Sequence, residues 1–234
     1  MGHTDISLFE AVKTGDLSRV KALLGALPAV NVNEKFNSMV DNRIGWSALH
    51  LAVFKGFLEI AKCLLDSGAA INAQEDKDDR TPLMMAVHRG DVAMVRMLIA
   101  SQANINLQQL DGDTPLLRAS SEGFSPIVTL LLEAGANVHT MDNLGWTPLI
   151  WASTNGHKDV VKLLIDKKNS LHEKETNEDR TALLIAASLG NTEITKLLLL
   201  GKYDGTAPSL QKAMMAAATN GHFEIVELLR KFES

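Results

Sequence analysis

The chain has 234 residues, with 28 Asp and Glu against 23 Lys and Arg, for a formal net charge of -5 at pH 7. That balance argues against a dedicated nucleic-acid binder, which needs a concentrated basic face to meet phosphates. A hydrophobic fraction of 46% with only 5% aromatic residues places Leu, Ala, Val, Ile and Met in the core and excludes disorder as a description of the whole chain.

Cys63 is the single cysteine, so no intramolecular disulfide can form, and no Asn-x-Ser/Thr acceptor is present. A reducing location, cytoplasmic or nuclear, is therefore expected. Met1 to Glu10 lacks the basic start and apolar stretch of a signal peptide, and no apolar run approaches the length of a membrane span. A soluble chain without a membrane role follows as the expectation.

In chain order, the first helical pattern ends at Gly15, and the next equivalent glycine, Gly56, comes 41 residues later. Pro28 to Val40 is therefore expected to form an enlarged loop. From there a motif recurs: Ser47-Ala-Leu-His-Leu-Ala, Thr81-Pro-Leu-Met-Met-Ala, Thr114-Pro-Leu-Leu-Arg-Ala, Thr147-Pro-Leu-Ile-Trp-Ala and Thr181-Ala-Leu-Leu-Ile-Ala, at intervals of 34, 33, 33 and 34. A glycine follows nine residues after each start, at Gly56, Gly90, Gly123, Gly156 and Gly190, and a second apolar helix pattern follows each glycine. A last, degenerate copy ends its first helix at Gly221, with Met214 and Ala217 in the Leu and Ala places, and Gly201 to Ser209 reads as a shortened loop before it.

The motif residues have physical reasons to be there. Thr81, Thr114 and Thr147 can cap a helix N-terminus through the side-chain oxygen, and Pro82, Pro115 and Pro148 fall at the first helical position, where no backbone N–H is needed. Leu49, Leu83, Leu116, Leu149 and Leu183 alternate with Ala52, Ala86, Ala119, Ala152 and Ala186 on one helical face, so neighbouring helices can approach closely. The glycines suit a left-handed helix end. Gly68 and Gly135 play that part after two of the second helices, whereas Gln102, Lys168 and Lys202 stand in the equivalent places and predict turns that are strained or differently closed.

The pattern resembles the ankyrin repeat, whose signature is Thr-Pro-Leu-His-x-Ala-Ala-x-x-Gly-His, over essentially the whole chain. The resemblance implies an all-α solenoid of stacked helix-turn-helix units joined by β-turn or hairpin fingers. We expect a single domain over residues 1–234, with an N-terminal cap to about residue 40, five regular repeats over about 41–204 and a C-terminal cap over about 205–234. End repeats face water on one side and are expected to be atypical.

Little in the chain suggests chemistry. His50, His157 and His222 fall at the family's structural histidine places, His139 and His172 replace a finger asparagine, and His88 precedes Gly90. No pair has the spacing of a zinc site. Glu75, Asp76, Asp78 and Asp79 cluster without the glycine and terminal glutamate of a calcium loop, so a solvated acidic finger is expected. No phosphate-cradling loop or nucleophile elbow is present, and Cys63 lies in an apolar stripe. No enzyme activity, cofactor or metal is expected.

The resemblance implies a protein-protein interaction scaffold whose partner lies along the fingers and the exposed side of the first helix of each repeat, on a concave face. The residues expected there are Ile44, Trp46, Phe54, Lys77, Arg80, Met85, His88, Arg89, Leu110, Arg118, Leu144, Trp146, Trp151 and Leu189. All three tryptophans are among them, and Trp and Arg are frequent interface anchors. Trp146 and Trp151 are expected to form one apolar anchor, and Lys77, Arg80, His88, Arg89 and Arg118 a basic strip between it and Trp46. With helix layers about 8–10 Å apart, Trp46 and Trp146 would stand roughly 25–30 Å apart. A partner segment with apolar anchors and acidic residues between them fits that reach, to a chain that is monomeric when unbound.

Two alternatives accompany this reading. In architecture the chain is similar to small all-ankyrin regulators, including proteasome-assembly chaperones, and to ankyrin-type bacterial effectors. The family is also modified by asparaginyl hydroxylases at a finger asparagine eight residues after a leucine, and Leu64/Asn72 and Leu98/Asn106 fit that spacing.

Overall fold

Helix formation follows the caps and glycines. In the computed structural model, which describes residues 3–26, 30–38, 43–167, 182–200 and 207–233, the described residues form fourteen helices and one short hairpin. They separate into two units, residues 1–115 and 116–234.

The first unit contains α1 (His3–Thr14), α2 (Leu17–Leu24), the antiparallel strands β1 (Phe36–Ser38) and β2 (Arg43–Trp46), then α3 (Ala48–Lys55), α4 (Leu58–Asp66), α5 (Pro82–His88) and α6 (Val92–Ala100). Within it α1 packs on α3 and α3 on α5, while α2 packs on α4 and α4 on α6, so inner helices stack on inner and outer on outer. The second unit holds α7 (Pro115–Ser121, all but its first residue), α8 (Ser125–Glu133), α9 (Pro148–Thr154), α10 (Lys158–Asp166), α11 (Ala182–Ser188), α12 (Thr192–Leu200), α13 (Ala207–Thr219) and α14 (Phe223–Glu233). There α9, α11 and α13 stack in turn, as do α8, α10, α12 and α14.

The inner helices begin as the caps require. Ser47, Thr81 and Thr147 accept hydrogen bonds from the backbone N–H three residues on, with Pro82 and Pro148 in the first turn. The apolar face then disappears from water: Leu49, Ala52, Leu83, Ala86, Leu116, Ala119, Ala152, Leu183 and Ala186 are buried. Each inner helix is short, seven or eight residues from α3 to α11, so its stability comes from this stacking rather than from helix propensity.

The chain reverses where expected, with positive φ at Gly15, Gly56, Gly90, Gly123, Gly156, Gly190 and Gly221. Gln102 takes φ 66° in the place that Gly68 and Gly135 fill, and Asp79, at φ 59°, occupies the finger place held by Gly45, Gly112 and Gly145. Lys168 and Lys202 lie outside the described residues, as do most of the shortened loop before α13 and both ends of the enlarged first loop.

Successive fingers of the first unit are tied by their backbones and asparagines. Asp76 N–H donates to the Ile44 carbonyl at 3.1 Å, and Leu110 N–H to that of Asp78 at 2.9 Å. Asn33 Oδ1 accepts from Ala70 N at 2.7 Å, and Asn72 Oδ1 from Asn104 N at 2.8 Å.

Candidate functional site

In the second unit, one carboxylate organises the finger before α9. Asp142 Oδ1 accepts the backbone N–H groups of Leu144 and Trp146, each at 2.9 Å, while Asp142 N–H donates to the Trp146 carbonyl at 3.1 Å. Its Oδ2 accepts the indole N–H of Trp151 at 2.8 Å. The two indoles meet with ring centroids 4.6 Å apart and planes inclined by 50°, between the offset-stacked and edge-to-face arrangements that aromatic quadrupoles favour. Both rings are half-buried. Leu144, at the finger tip, is 68% exposed, and Leu189, just after α11, is 50% exposed. The expected Trp146/Trp151 pairing is therefore present in the fold, with unburied leucines on the same finger and on a neighbouring repeat.

Trp46, in the first unit, behaves differently. It is 5% exposed, packs edge-on against Phe54 with centroids 5.2 Å apart, and lies 6.4 Å from the ring of His50. The expectation that it stands open on a partner face is corrected: Phe54, in the last turn of α3, packs against it and is itself the more exposed of the two. Met85 is corrected likewise. It is 4% exposed, on a helix, α5, that is packed by α3 and α6. Leu51, at the same place on α3, is also buried.

Of the other expected residues in this unit, Ile44, Phe54 and Leu110 are exposed apolar groups, and Lys77, His88 and Arg89 are exposed. Arg80 is engaged internally: its Nε donates to Glu75 Oε1 at 3.1 Å, and its second terminal nitrogen lies 3.0 Å from Asp78 Oδ2. Glu75 is buried and also accepts the N–H groups of Lys77 and Asp78. The acidic finger is thus not uniformly solvated: Glu75 is its internal strut. In the second unit Arg118 is half-buried beside Glu122, at 3.7 Å. Two of the five basic side chains expected in the strip therefore already face carboxylates.

The histidines have structural surroundings. His50 Nε2–H faces the carbonyls of Ala73 and Arg80 at 3.0 and 3.2 Å, which leaves Nδ1 to accept Ser47 N–H at 3.1 Å. Burial holds its pKa down at about 4, so the ring is neutral. His157 donates through Nε2 to the Ser121 carbonyl at 2.9 Å. His172 lies outside the described residues. Among the described residues no group of three or more His, Cys, Asp or Glu is placed to hold a metal ion, and no helix is long and apolar enough to cross a membrane. Asn72 and Asn106 are both exposed on fingers, the former with its side-chain oxygen committed to Asn104.

A model of ankyrin repeats matches the chain in three copies, over residues 8–109, 88–175 and 167–233. The chain belongs to the ankyrin-repeat family. Its fold is the family's all-α solenoid of stacked helix-turn-helix repeats. Among its relatives, the mouse B-cell lymphoma 3 protein homolog is 34% identical over 110 residues, 47% of this chain and 24% of that protein. The Arabidopsis thaliana E3 ubiquitin-protein ligase KEG is 32% identical over 45% of this chain and 7% of its own length. The chicken nuclear factor NF-kappa-B p105 subunit is 36% identical over 34% and 8% respectively. The chain thus corresponds to a quarter or less of these curated relatives, through their ankyrin segments. Ankyrin repeats generally mediate protein-protein interaction.

Asp142 and Glu75 are the site residues that sequence reading missed. A signal existed: each acidic residue stands a few positions before the Thr that caps the next ankyrin inner helix, where a carboxylate can fold back on the finger's own N–H groups.

Proposed function

We propose that this chain is a non-enzymatic ankyrin scaffold that holds a segment of a protein partner against the inner-helix and finger side of its repeats. The observation that carries this reading is the Trp146/Trp151 pair, fixed by Asp142 and accompanied by the exposed Leu144 and Leu189. Large rings held by an internal carboxylate need little further ordering on binding, so burying them favours association with small entropic loss. Leu144, on the same finger, and Leu189, just after the next inner helix, add exposed apolar surface on this side of the second unit.

The first unit offers a second set of contacts of mixed character, in which Ile44, Phe54 and Leu110 supply apolar surface and Lys77, His88 and Arg89 polar and basic groups. Trp46 and Met85 are not part of it. An acidic partner segment suits this set better than a neutral one, with Arg80 contributing less because carboxylates already face it. A reducing, cytoplasmic or nuclear, setting suits the half-buried thiol of Cys63.

The reading is tested by affinity capture from native extract with the wild type and a Leu144→Asp, Leu189→Asp variant, two surface changes that leave the indole pair intact. Loss of specifically captured proteins from the variant is expected. An unchanged set of captured proteins would remove this surface from consideration.

A further inference from the structure

The pair of indoles beside a carboxylate has a more specific chemistry than apolar contact. The Trp151 ring edge is committed to Asp142 through its N–H, so the surface this side chain can offer a ligand is its π face. An aromatic face attracts a cation lying within about 6 Å of the ring centroid. Because the Trp146 and Trp151 centroids are 4.6 Å apart, a cation seated over the outer face of one ring can also lie within that distance of the other. The Asp142 carboxylate, hydrogen-bonded to the edge of the Trp151 ring, supplies a negative charge nearby, and among the described residues no Lys or Arg forms an ion pair with it.

The state of that carboxylate decides which cation. Its oxygens already accept three N–H groups, from Leu144, Trp146 and Trp151. An ordinary ammonium brings three N–H donors and loses hydration on contact with two indoles, with little acceptor capacity left to replace it. A fully alkylated ammonium carries the same charge, has no donor to satisfy, and presents methyl groups to the rings. We infer that Trp146, Trp151 and Asp142 form a binding site for a quaternary ammonium group, supplied by a trimethylated lysine of the partner segment. The source of the group rests on the protein-binding reading above; the affinity of the site for quaternary ammonium does not.

The experiment uses the full chain and two small probes, choline and its uncharged isostere 3,3-dimethylbutan-1-ol, titrated while the indole side-chain N–H resonances are followed by NMR. Choline is expected to saturate and to shift the Trp146 and Trp151 signals but not that of buried Trp46, with affinity about tenfold or more above the isostere. Trp151→Leu is expected to abolish saturation. Because that change also removes the tie to Asp142, Trp146→Leu, which keeps the backbone N–H bond at its position, serves as a second variant and must weaken choline by at least several-fold. A short peptide carrying trimethyllysine is expected to bind more tightly than the same peptide with lysine.

Equal affinity for choline and the alcohol would reduce the site to an apolar patch and overturn the inference, as would choline binding unaffected by both variants. Equal affinity for the two peptides would overturn the assignment to alkylated lysine. A chain that loses partners on Leu144→Asp, Leu189→Asp yet ignores choline sinks this inference alone; a chain that binds choline but captures no protein sinks the scaffold reading instead.

Discussion

His157 lies across the backbone of Gly123. A Cβ built on that glycine would stand 2.5 Å from Nδ1 of the ring, and the ring is held in place by Nε2 on the Ser121 carbonyl at 2.9 Å. Gly156 has an almost identical φ, 77° against 75°, but nothing within 4 Å of its would-be Cβ. Replacing Gly156 with Ala therefore costs only the left-handed conformation, about 1–2 kcal/mol. Replacing Gly123 adds displacement of a tethered imidazole, about 1–3 kcal/mol more. Urea unfolding of the two variants should separate them in that order; equal losses would show that the His157 ring yields freely.

Acid should weaken the first unit through His50. Its pKa is about 4 in the fold and near 6.5 when exposed, so the unfolded chain takes up the proton first. The stabilising difference is complete above about pH 6.5, declines as pH falls through the interval down to about 4, and amounts to about 3 kcal/mol across it. His50→Leu, matching the Leu117 and Leu184 that fill the same place in other repeats, should lower stability at neutral pH by removing three hydrogen bonds while flattening this acid dependence. A variant with the same slope as wild type between pH 6.5 and 4 would assign the dependence to other groups.

Two buried serines should be dispensable. Ser120 and Ser153 are inaccessible and their hydroxyls have no partner among the described residues, and Ala187 occupies the same repeat place as Ser153. Ser153→Ala removes an unmatched polar atom without creating a large cavity and is expected to stabilise by about 1 kcal/mol. Thermal unfolding reads this directly; a lower melting temperature would mean that the hydroxyl is satisfied by water in solution.

Glu75 is predicted to be the most sensitive residue of its finger. Its carboxylate meets two backbone N–H groups and the Arg80 guanidinium while fully buried, so Glu75→Ala leaves three donors without that acceptor and should cost about 2–4 kcal/mol. Asp76→Ala, at an exposed position paired with Lys35, should cost under about 1 kcal/mol. Chemical denaturation of both variants distinguishes a strut from a solvated charge.

Much of this fold is legible in sequence because one repeat explains the next. Thr-Pro starts, buried Leu and Ala, and reversing glycines recur in register, so each copy corroborates the others. What did not transfer is whatever depends on a neighbour outside the motif. Trp46 and Trp146 hold the same place before the helix cap, yet Phe54 covers the first, whereas Thr154 at the corresponding place leaves the second available to Trp151. Glu75 reads as one acid in a run of acids until the finger closes around it. Arg80 and Arg118 read as members of a basic strip because Glu75 and Glu122 are brought to them only by the turn and by side-chain direction. The Trp146/Trp151 pairing is legible because the two stand five positions apart, across a cap whose geometry the repeat dictates.

The claim on which the functional reading turns is that partners meet the inner-helix and finger side of the second unit. Hydroxyl-radical footprinting of the chain, alone and with its captured partner, measures this residue by residue. Protection is predicted at Leu144, Trp151 and Leu189, with the exposed outer-helix residues Lys158, Asp159 and Lys162 unchanged. Protection of those outer-helix residues, with Leu144 and Leu189 still fully reactive, would contradict it.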